Sequence, residues 1–176
     1  EAIGDFVVLF DHDDILHKRA LESVSEEIEK HPAAMFLYTD EAKIDDKNTI
    51  HQPFLKPAWN YDLLRSVNYI THLTVVKREL MLKVGGENGK YNGAQDWDLF
   101  IRLTQCIDEK DIVHIPKVLY YWRVHQQSTA GSVKAKPYVL EAQKNTLKDN
   151  IDRNNIPAVI VYDKKNYGQW YEKYNP

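Results

Sequence analysis

The segment Phe6-Val7-Val8-Leu9-Phe10 is apolar at every position and is followed directly by Asp11-His12-Asp13-Asp14. Five consecutive apolar residues predict a central β-strand that is buried on both faces and has carboxylates at its carboxyl end. In open α/β sheets, ligands bind in the crevice beyond the carboxyl ends of the strands. This junction therefore predicts both a fold class and the place of a ligand site.

The residues that follow alternate between helical and strand patterns. Apolar side chains recur at helical spacing over residues 16–28, and residues 35–38 read as a second strand. This order predicts two parallel strands joined by a right-handed crossover. The fold class is therefore α/β, with a mixed, mostly parallel sheet flanked by helices. Further elements are predicted as helices at 61–65, 78–84, 96–107 and 138–153, and strands at 74–76, 112–115, 118–125 and 158–162.

Composition excludes several classes of protein. The 176 residues include 23 Lys and Arg against 26 Asp and Glu, for a net charge of -3, without the basic stripe of a nucleic-acid binder. No apolar run approaches the ~20 residues of a membrane span. The single cysteine, Cys106, cannot form an intrachain disulfide and favours a reducing compartment.

The carboxylates of Asp11 and Asp13 follow a strand at positions i and i+2. In this pattern they can converge on one divalent cation, and their hard oxygen ligands suit magnesium or manganese. Such an ion would bridge a pyrophosphate. The alternative is that these residues only cap the next helix, but the buried-type strand before them favours the metal.

Asp96 begins an amphipathic helix and is flanked by Gln95 and Trp97. A helix cap contributing ~1 kcal/mol is the simplest reading. A carboxylate at a helix mouth can also act as a general base. Further along, strand alternation places Arg123 and His125 on one face, where they could bind phosphate and metal respectively.

Five motifs occur in an order that resembles glycosyltransferase family 2, especially the bacterial members that build cell-surface polysaccharides such as O-antigens. The resemblance runs from Gly4 to about Asn150. Each motif alone is weak, whereas five in the same order are strong. They are Leu9-Phe10-Asp11-His12-Asp13-Asp14, Tyr38-Thr39-Asp40-Glu41, Phe54-Leu55-Lys56-Pro57-Ala58-Trp59, Gly93-Ala94-Gln95-Asp96-Trp97-Asp98-Leu99, and Tyr121-Trp122-Arg123-Val124-His125 with Ser128-Thr129-Ala130.

The resemblance implies an inverting transferase of the GT-A fold that uses a nucleotide-diphosphate sugar and a divalent metal, magnesium or manganese. It assigns Asp13 to the metal and Asp11 to the metal or the donor ribose. His125 matches a further metal or pyrophosphate contact, and we expect Arg123 to stabilise the departing diphosphate.

The resemblance also implies an acceptor side. Asp96 matches the catalytic base, here preceded by Gln95 where the family has Glu. We assign Gln95, Trp97 and Trp122 to acceptor binding, because the two tryptophans offer flat surfaces for a sugar, although a packing role suits each tryptophan equally well. The acceptor would be a glycan or a lipid-linked saccharide. We expect the protein to be cytoplasmic and to lie at the inner face of the membrane.

Two domain assignments follow from the resemblance. We expect residues 1–155 to form the metal- and acceptor-side portion of a GT-A domain, with the nucleotide-binding half preceding this chain. We expect residues 156–176 to form an extension or linker, which could lead to a further glycosyltransferase domain of the same parent. The isolated 176 residues should then have little or no transferase activity.

Two other functions remain open. Residues 7–16 also suit the first motif of haloacid-dehalogenase-like phosphatases, with Asp11 as nucleophile and Asp13 as acid/base. However, Asp14-Ile15 stands where that motif has a small pair, and no later Ser/Thr and Lys motifs are evident. Alternatively, the chain is a non-catalytic carbohydrate-binding or interaction module whose 11 tyrosines and four tryptophans form a sugar platform.

Overall fold

A computed structural model describes residues 2–124 and 137–174. Within these ranges the chain forms eight strands and five helices. The strands are β1 (Phe6–Leu9), β2 (Ile15–Leu16), β3 (Phe36–Ile44), β4 (Ile50–Phe54), β5 (Thr74–Lys77), β6 (Ile112–Arg123), β7 (Ala158–Tyr162) and β8 (Trp170–Tyr174). The helices are α1 (Ala20–Lys30), α2 (Tyr61–Leu64), α3 (Arg78–Val84), α4 (Gln95–Thr104) and α5 (Pro137–Arg153).

The larger sheet is mixed, and β3 lies at its centre. Its strand order is β1-β5-β3-β6-β2, with β4 paired to the second half of β3. β3 and β6 are parallel, whereas the other pairs are antiparallel. The end of β6, which falls in the strand predicted at residues 118–125, also pairs antiparallel with β2.

The prediction for the first strand is wrong in two respects. β1 lies at the edge of the sheet, and all four of its residues are half-buried. It is also not a neighbour of β3, because β5 is inserted between them and pairs antiparallel with both. An apolar run indicates burial but does not identify the pairing partner, and here the partner comes from a segment almost 70 residues later.

β6 is one continuous strand, where two strands separated at Pro116 were predicted. Its register against β3 shifts between Ile115, which pairs with Thr39, and Val118, which pairs with Asp40. Pro116 and Lys117 therefore lie in a bulge, where a missing backbone donor is tolerated. The strand continues past the bulge and brings Tyr120 into contact with Asp11 and Asp14.

Two hydrophobic clusters cover the two faces of this sheet. Alternation along β3 places Phe36 and Tyr38 in the cluster that includes α4 residues, and Leu37 in the cluster that includes α1 residues. The five predicted helices are confirmed within a few residues of their ends. Gly85, at φ 79°, ends α3 in the left-handed conformation that its sequence predicts.

The C-terminal residues form a hairpin that packs on the rest of the fold. β7 was predicted, but β8 lies in the tail that was expected to be an extension or linker. Trp170 is buried in the larger core cluster, and its backbone N–H donates to the Ser66 carbonyl at 2.8 Å. Among the described residues, no helix combines the length and apolar character that a membrane crossing requires.

Candidate active site

A cleft of about 510 Å³ opens beside the carboxyl end of β1 and the start of α4. Its walls come from β1, β6, α4, α5 and the segment between β7 and β8. It is lined by Leu9, Asp11, Lys43, Val67, Asn68, Thr71, His72, Glu87, Gly93, Ala94, Gln95, Asp96, Trp97, Phe100, Trp122, Tyr138, Val139, Gln143, Tyr167 and Gly168. Asp11, Gln95, Asp96, Trp97 and Trp122, predicted from distant parts of the sequence, thus share one cleft.

A tight turn after β1 brings Asp14 back towards Asp11, because the Asp14 N–H donates to the Asp11 carbonyl at 3.2 Å. Ligand atoms of Asp11, Asp14 and His72 lie within 4.8 Å of one another. This group contains Asp11, which was predicted as a metal ligand, together with Asp14 and His72, which were not; the metal contact of Asp13 stays a prediction. His125 lies outside the described residues.

Asp14 is held firmly by β6. The Tyr120 hydroxyl donates to Asp14 Oδ2, and the Arg123 N–H donates to Oδ1 at 2.7 Å. Burial raises the pKa of Asp14, although these hydrogen bonds oppose the rise. The Tyr120 hydroxyl also accepts from the Asp11 N–H at 3.3 Å, so one phenol links the backbone of Asp11 to the carboxylate of Asp14.

Arg123 contacts backbone carbonyls. Its Nε donates to the Asp13 carbonyl at 2.8 Å, and one terminal nitrogen lies 3.4 Å from the Asp45 carbonyl. Arg123 thus links the turn at residues 11–14 to Asp45, the residue that follows β3. Its contact with a diphosphate, and the metal contact of Asp13, stay predictions.

His72 is the residue of this group that the sequence analysis missed. Its Nε2 lies 3.8 Å from Asp11 Oδ2, its Nδ1 lies 3.3 Å from Glu41 Oε2, and its ring stacks on Tyr120 with centroids 4.6 Å apart. Burial alone would lower the pKa of His72, but the hydrogen bond and charge of Glu41, with the charges of Asp11 and Asp96, raise it.

Glu41 lies behind His72 and organises the segment that carries it. Glu41 Oε2 accepts from the Thr71 hydroxyl at 2.7 Å and from the His72 N–H at 3.0 Å. Burial would raise the pKa of Glu41, but His72, Lys56 and Thr71 outweigh it and lower the pKa to about 2. Glu41 is thus a buried carboxylate that remains charged. Its motif Thr39-Asp40-Glu41, at the end of a buried strand, was the signal that could have identified it.

Asp96 lies in the first turn of α4, as predicted. Its carboxylate is half-buried, and Oδ2 accepts from Asn68 Nδ2 at 2.7 Å. Burial raises the pKa of Asp96, and the backbone N–H of Trp97, the charge of His72 and the bond from Asn68 moderate the rise. Partial burial and the charges of Asp96 and Asp11 also raise the pKa of Glu87, a cleft residue that sequence reasoning missed.

The three residues predicted to bind the acceptor differ in how they meet the cleft. Trp97 is 1% exposed, and its Nε1 donates to the Leu64 carbonyl at 2.6 Å, so packing rather than sugar stacking accounts for it. Gln95 Oε1 accepts from the Gly93 N–H at 2.7 Å. Trp122 is half-buried, with its ring centroid 5.7 Å from that of His72.

No family profile matches the sequence. Over 162 residues it is 41% identical to the uncharacterized protein y4gI of Sinorhizobium fredii. Over 158 residues it is 34% identical to the O-antigen biosynthesis protein RfbC of Myxococcus xanthus. Each match covers 90% of this chain but only 18% and 12%, respectively, of the relative's length.

The fold is similar to that of S. aureus TarS 1-349, solved in complex with UDP-GlcNAc. The TM-score is 0.62 at 16% sequence identity, and the match covers 85% of this chain and 43% of the TarS chain. This likeness, together with the mixed sheet and its flanking helices, shows that the chain has a GT-A-like α/β fold.

Proposed function

We propose that this chain is part of a family 2 glycosyltransferase that transfers a sugar from a nucleotide-diphosphate sugar to a glycan or lipid-linked saccharide during surface polysaccharide synthesis. The observation that carries the proposal is that Asp96, Asp11 and His72 line one cleft. The name of the RfbC relative and the UDP-GlcNAc bound to TarS support the substrate class.

Asp96 acts as the general base in this proposal. A sugar hydroxyl is a poor nucleophile, so a carboxylate takes its proton as the oxygen attacks the anomeric carbon. The new bond joins that oxygen to the anomeric carbon, while the bond from this carbon to the diphosphate breaks and the nucleoside diphosphate leaves. Attack opposite the leaving group inverts the anomeric centre. Burial raises the pKa of Asp96 and therefore its affinity for a proton, which suits this carboxylate to the role of general base.

The group formed by Asp11, Asp14 and His72 fits a divalent cation. Asp11 and Asp14 offer oxygen ligands, and His72 offers an imidazole whose Nε2 lies 3.8 Å from Asp11 Oδ2. Two carboxylates and an imidazole suit manganese, and oxygen ligands suit magnesium. A cation held there would neutralise charge on the departing diphosphate. Asp13 and His125 stay candidate ligands from the sequence resemblance, and Arg123 a candidate diphosphate contact.

The alternative functions receive less support from the structure. The phosphatase alternative assigns Asp11 as nucleophile and Asp13 as acid/base, but Asp11 shares its cleft with Asp96 and its group of metal-ligand atoms with Asp14 and His72. A non-catalytic sugar-binding module would not require Asp96, Asp11 and His72 to meet. It would bind saccharides without dependence on manganese.

Calorimetric titration of the full parent protein with Mn²⁺ and UDP-GlcNAc tests the proposal, because we expect the nucleotide-binding half to precede this chain. We expect Asp11→Asn and His72→Gln to weaken Mn²⁺ binding at least tenfold and to weaken UDP-GlcNAc binding in parallel. Asp96→Asn should preserve both, since the base acts on the acceptor. Glu29→Gln, on α1 against the opposite face of the sheet, is the matched control. Mn²⁺ binding that is absent, or UDP-GlcNAc binding that is indifferent to Mn²⁺ and to Asp11, would contradict the proposal.

The same variants in the full parent protein test the catalytic role. Asp96→Asn should lower sugar transfer by at least a hundredfold with an unchanged affinity for UDP-GlcNAc, since general base catalysis contributes ~10²–10⁴-fold. Transfer that survives the substitution would remove Asp96 from this role.

A further inference from the structure

We propose that the turn of the β7–β8 hairpin and the adjoining face of α5 form one wall of the acceptor subsite, which takes a neutral pyranoside. Tyr167 and Tyr138 would stack on the sugar ring, while Gln143 would bind one of its oxygens. This inference rests on the proposed function and deepens it, because it assigns the acceptor side of the cleft to the C-terminal segment.

The hairpin is fixed in place by contacts that do not involve the cleft. Arg65 Nε donates to Glu172 Oε1 at 2.8 Å, and a second guanidinium nitrogen donates to Glu172 Oε2. The Trp170 N–H donates to the Ser66 carbonyl, and its indole, which is 5% exposed, packs in the core. These contacts tie both β8 and the preceding turn to α2, so the turn is held at the cleft rather than trailing from the fold.

Two tyrosine rings face this part of the cleft while retaining accessible surface. Tyr167, in the turn, is 40% exposed, and Tyr138, in the first turn of α5, is 53% exposed. An aromatic ring with this much exposed surface is stabilised when an apolar group covers one of its faces. A pyranose ring can do this, because it presents an apolar face of C–H groups. Binding clefts for small ligands are built in this way, from aromatic walls with a few polar groups.

The polar groups on this side are amides that are oriented by the protein. Gln143 Oε1 accepts from Trp170 Nε1 at 3.1 Å, and Gln95 Oε1 accepts from the Gly93 N–H at 2.7 Å. With each carbonyl oxygen engaged by the fold, the amide groups contribute N–H donors. Such donors match the hydroxyl and ring oxygens of a sugar.

The charge of the cleft selects between classes of sugar. Three carboxylates line the cleft, those of Asp11, Glu87 and Asp96, together with Lys43 and His72. A uronic acid would add a further carboxylate to this group, and like charges in a partly buried space repel one another. The subsite therefore favours a neutral pyranoside over an anionic one.

Saturation-transfer NMR and calorimetry with methyl glycosides test the subsite. The probes are methyl β-D-glucopyranoside, methyl β-D-galactopyranoside and methyl α-L-rhamnopyranoside, with methyl β-D-glucuronide as the anionic counterpart. We expect at least one neutral glycoside to bind, and the glucuronide to bind at least fivefold more weakly than the glucopyranoside. A chain that binds none of the three neutral probes would overturn the inference.

Tyr171 supplies a matched control on the same hairpin, because it is 50% exposed on β8 but does not line the cleft. Tyr167→Ala should weaken binding of the best probe at least fivefold, Tyr167→Phe should retain it, and Tyr171→Ala should leave it unchanged. Equal effects of the two alanine variants would overturn the role of Tyr167. Circular dichroism and the melting temperature check that each variant is folded.

The outcome can be separated from that of the proposed function. Glycoside binding that depends on Tyr167, together with Mn²⁺ binding that is absent or indifferent to Asp11, would support the subsite and contradict the proposed transferase. Donor binding that depends on Asp11, with glycoside binding indifferent to Tyr167, would support the transferase and remove the hairpin from the acceptor site.

Discussion

Lys56 Nζ lies 3.3 Å from Glu41 Oε2, and both side chains are buried. The same ammonium donates to the carbonyls of Ile70 and His72, so one cation binds a carboxylate and two backbone oxygens of the segment that carries His72. Burial lowers the pKa of Lys56 to about 8, while Glu41 and Asp40 oppose this change. The pair thus fixes the backbone behind one wall of the cleft.

Removal of Lys56 should therefore destabilise the fold strongly. In Lys56→Met the Glu41 carboxylate keeps its burial but loses its nearest cation, and breaking a buried pair costs about 3–5 kcal/mol. Chemical denaturation measures the change in the free energy of unfolding. Lys56→Met/Glu41→Gln should recover part of the loss, because the double variant removes the uncompensated charge. A single variant as stable as the wild type would contradict this account of the pair.

Gly93 is a second position where a small change should affect the cleft. Its φ is +99°, and an added Cβ would lie 2.9 Å from a Tyr138 ring carbon and 3.2 Å from a Val139 methyl group. Gly93→Ala should lose about 1–3 kcal/mol of stability through backbone strain, in addition to the clash. Gly89→Ala is the control, since its Cβ would meet no atom within 4 Å. Thermal unfolding that ranks the two variants equally would refute the prediction.

Asp149 should make stability depend on pH in the acid range. The hydrogen bonds from Lys90 and Tyr91 lower its pKa below the ordinary value of 3.8. A lowered pKa in the folded state means that the stabilisation is complete above pH 3.8 and is lost as the pH falls through the folded-state value. Asp149→Asn should thus cost about 1 kcal/mol at pH 6, and this difference should shrink as the pH falls below 3.8.

Urea denaturation at several pH values measures this effect. Asp152→Asn, in the same helix with its ion pair to Lys148 exposed, provides the control and should change stability little. A cost for Asp149→Asn that is constant down to pH 2 would show that the charge of Asp149 is not the source of its stabilisation.

The sequence predicted the helices because helical periodicity is a local pattern, whereas the family resemblance is what placed Asp11 and Asp96 in one site. Helical periodicity marks the face that packs, and polar residues that follow strands mark an edge of the sheet. The sequence did not predict that β5 separates β1 from β3, since strand pairing depends on contacts between distant segments. His72 was missed for the same reason. Nothing near it in the chain indicates that Asp14 and Glu41 flank it in the folded protein.

Tyr120 provides the sharpest test of how Asp11, Asp14 and His72 are held together. Its hydroxyl donates to Asp14 and accepts from the Asp11 backbone, while its ring stacks on His72. Tyr120→Phe keeps the ring and removes only the hydroxyl, so His72 retains its stacking partner while Asp14 retains the Arg123 N–H as its remaining donor. We expect Mn²⁺ affinity to fall by about tenfold, the lower end of the loss that follows removal of groups that orient metal ligands. Tyr121→Phe, at the next position of β6, is the control because the Tyr121 ring contacts His17 on the other side of the strand. If both variants bind Mn²⁺ like the wild type, Asp14 does not depend on Tyr120 for its position, and the case for Asp14 as a ligand weakens relative to Asp13.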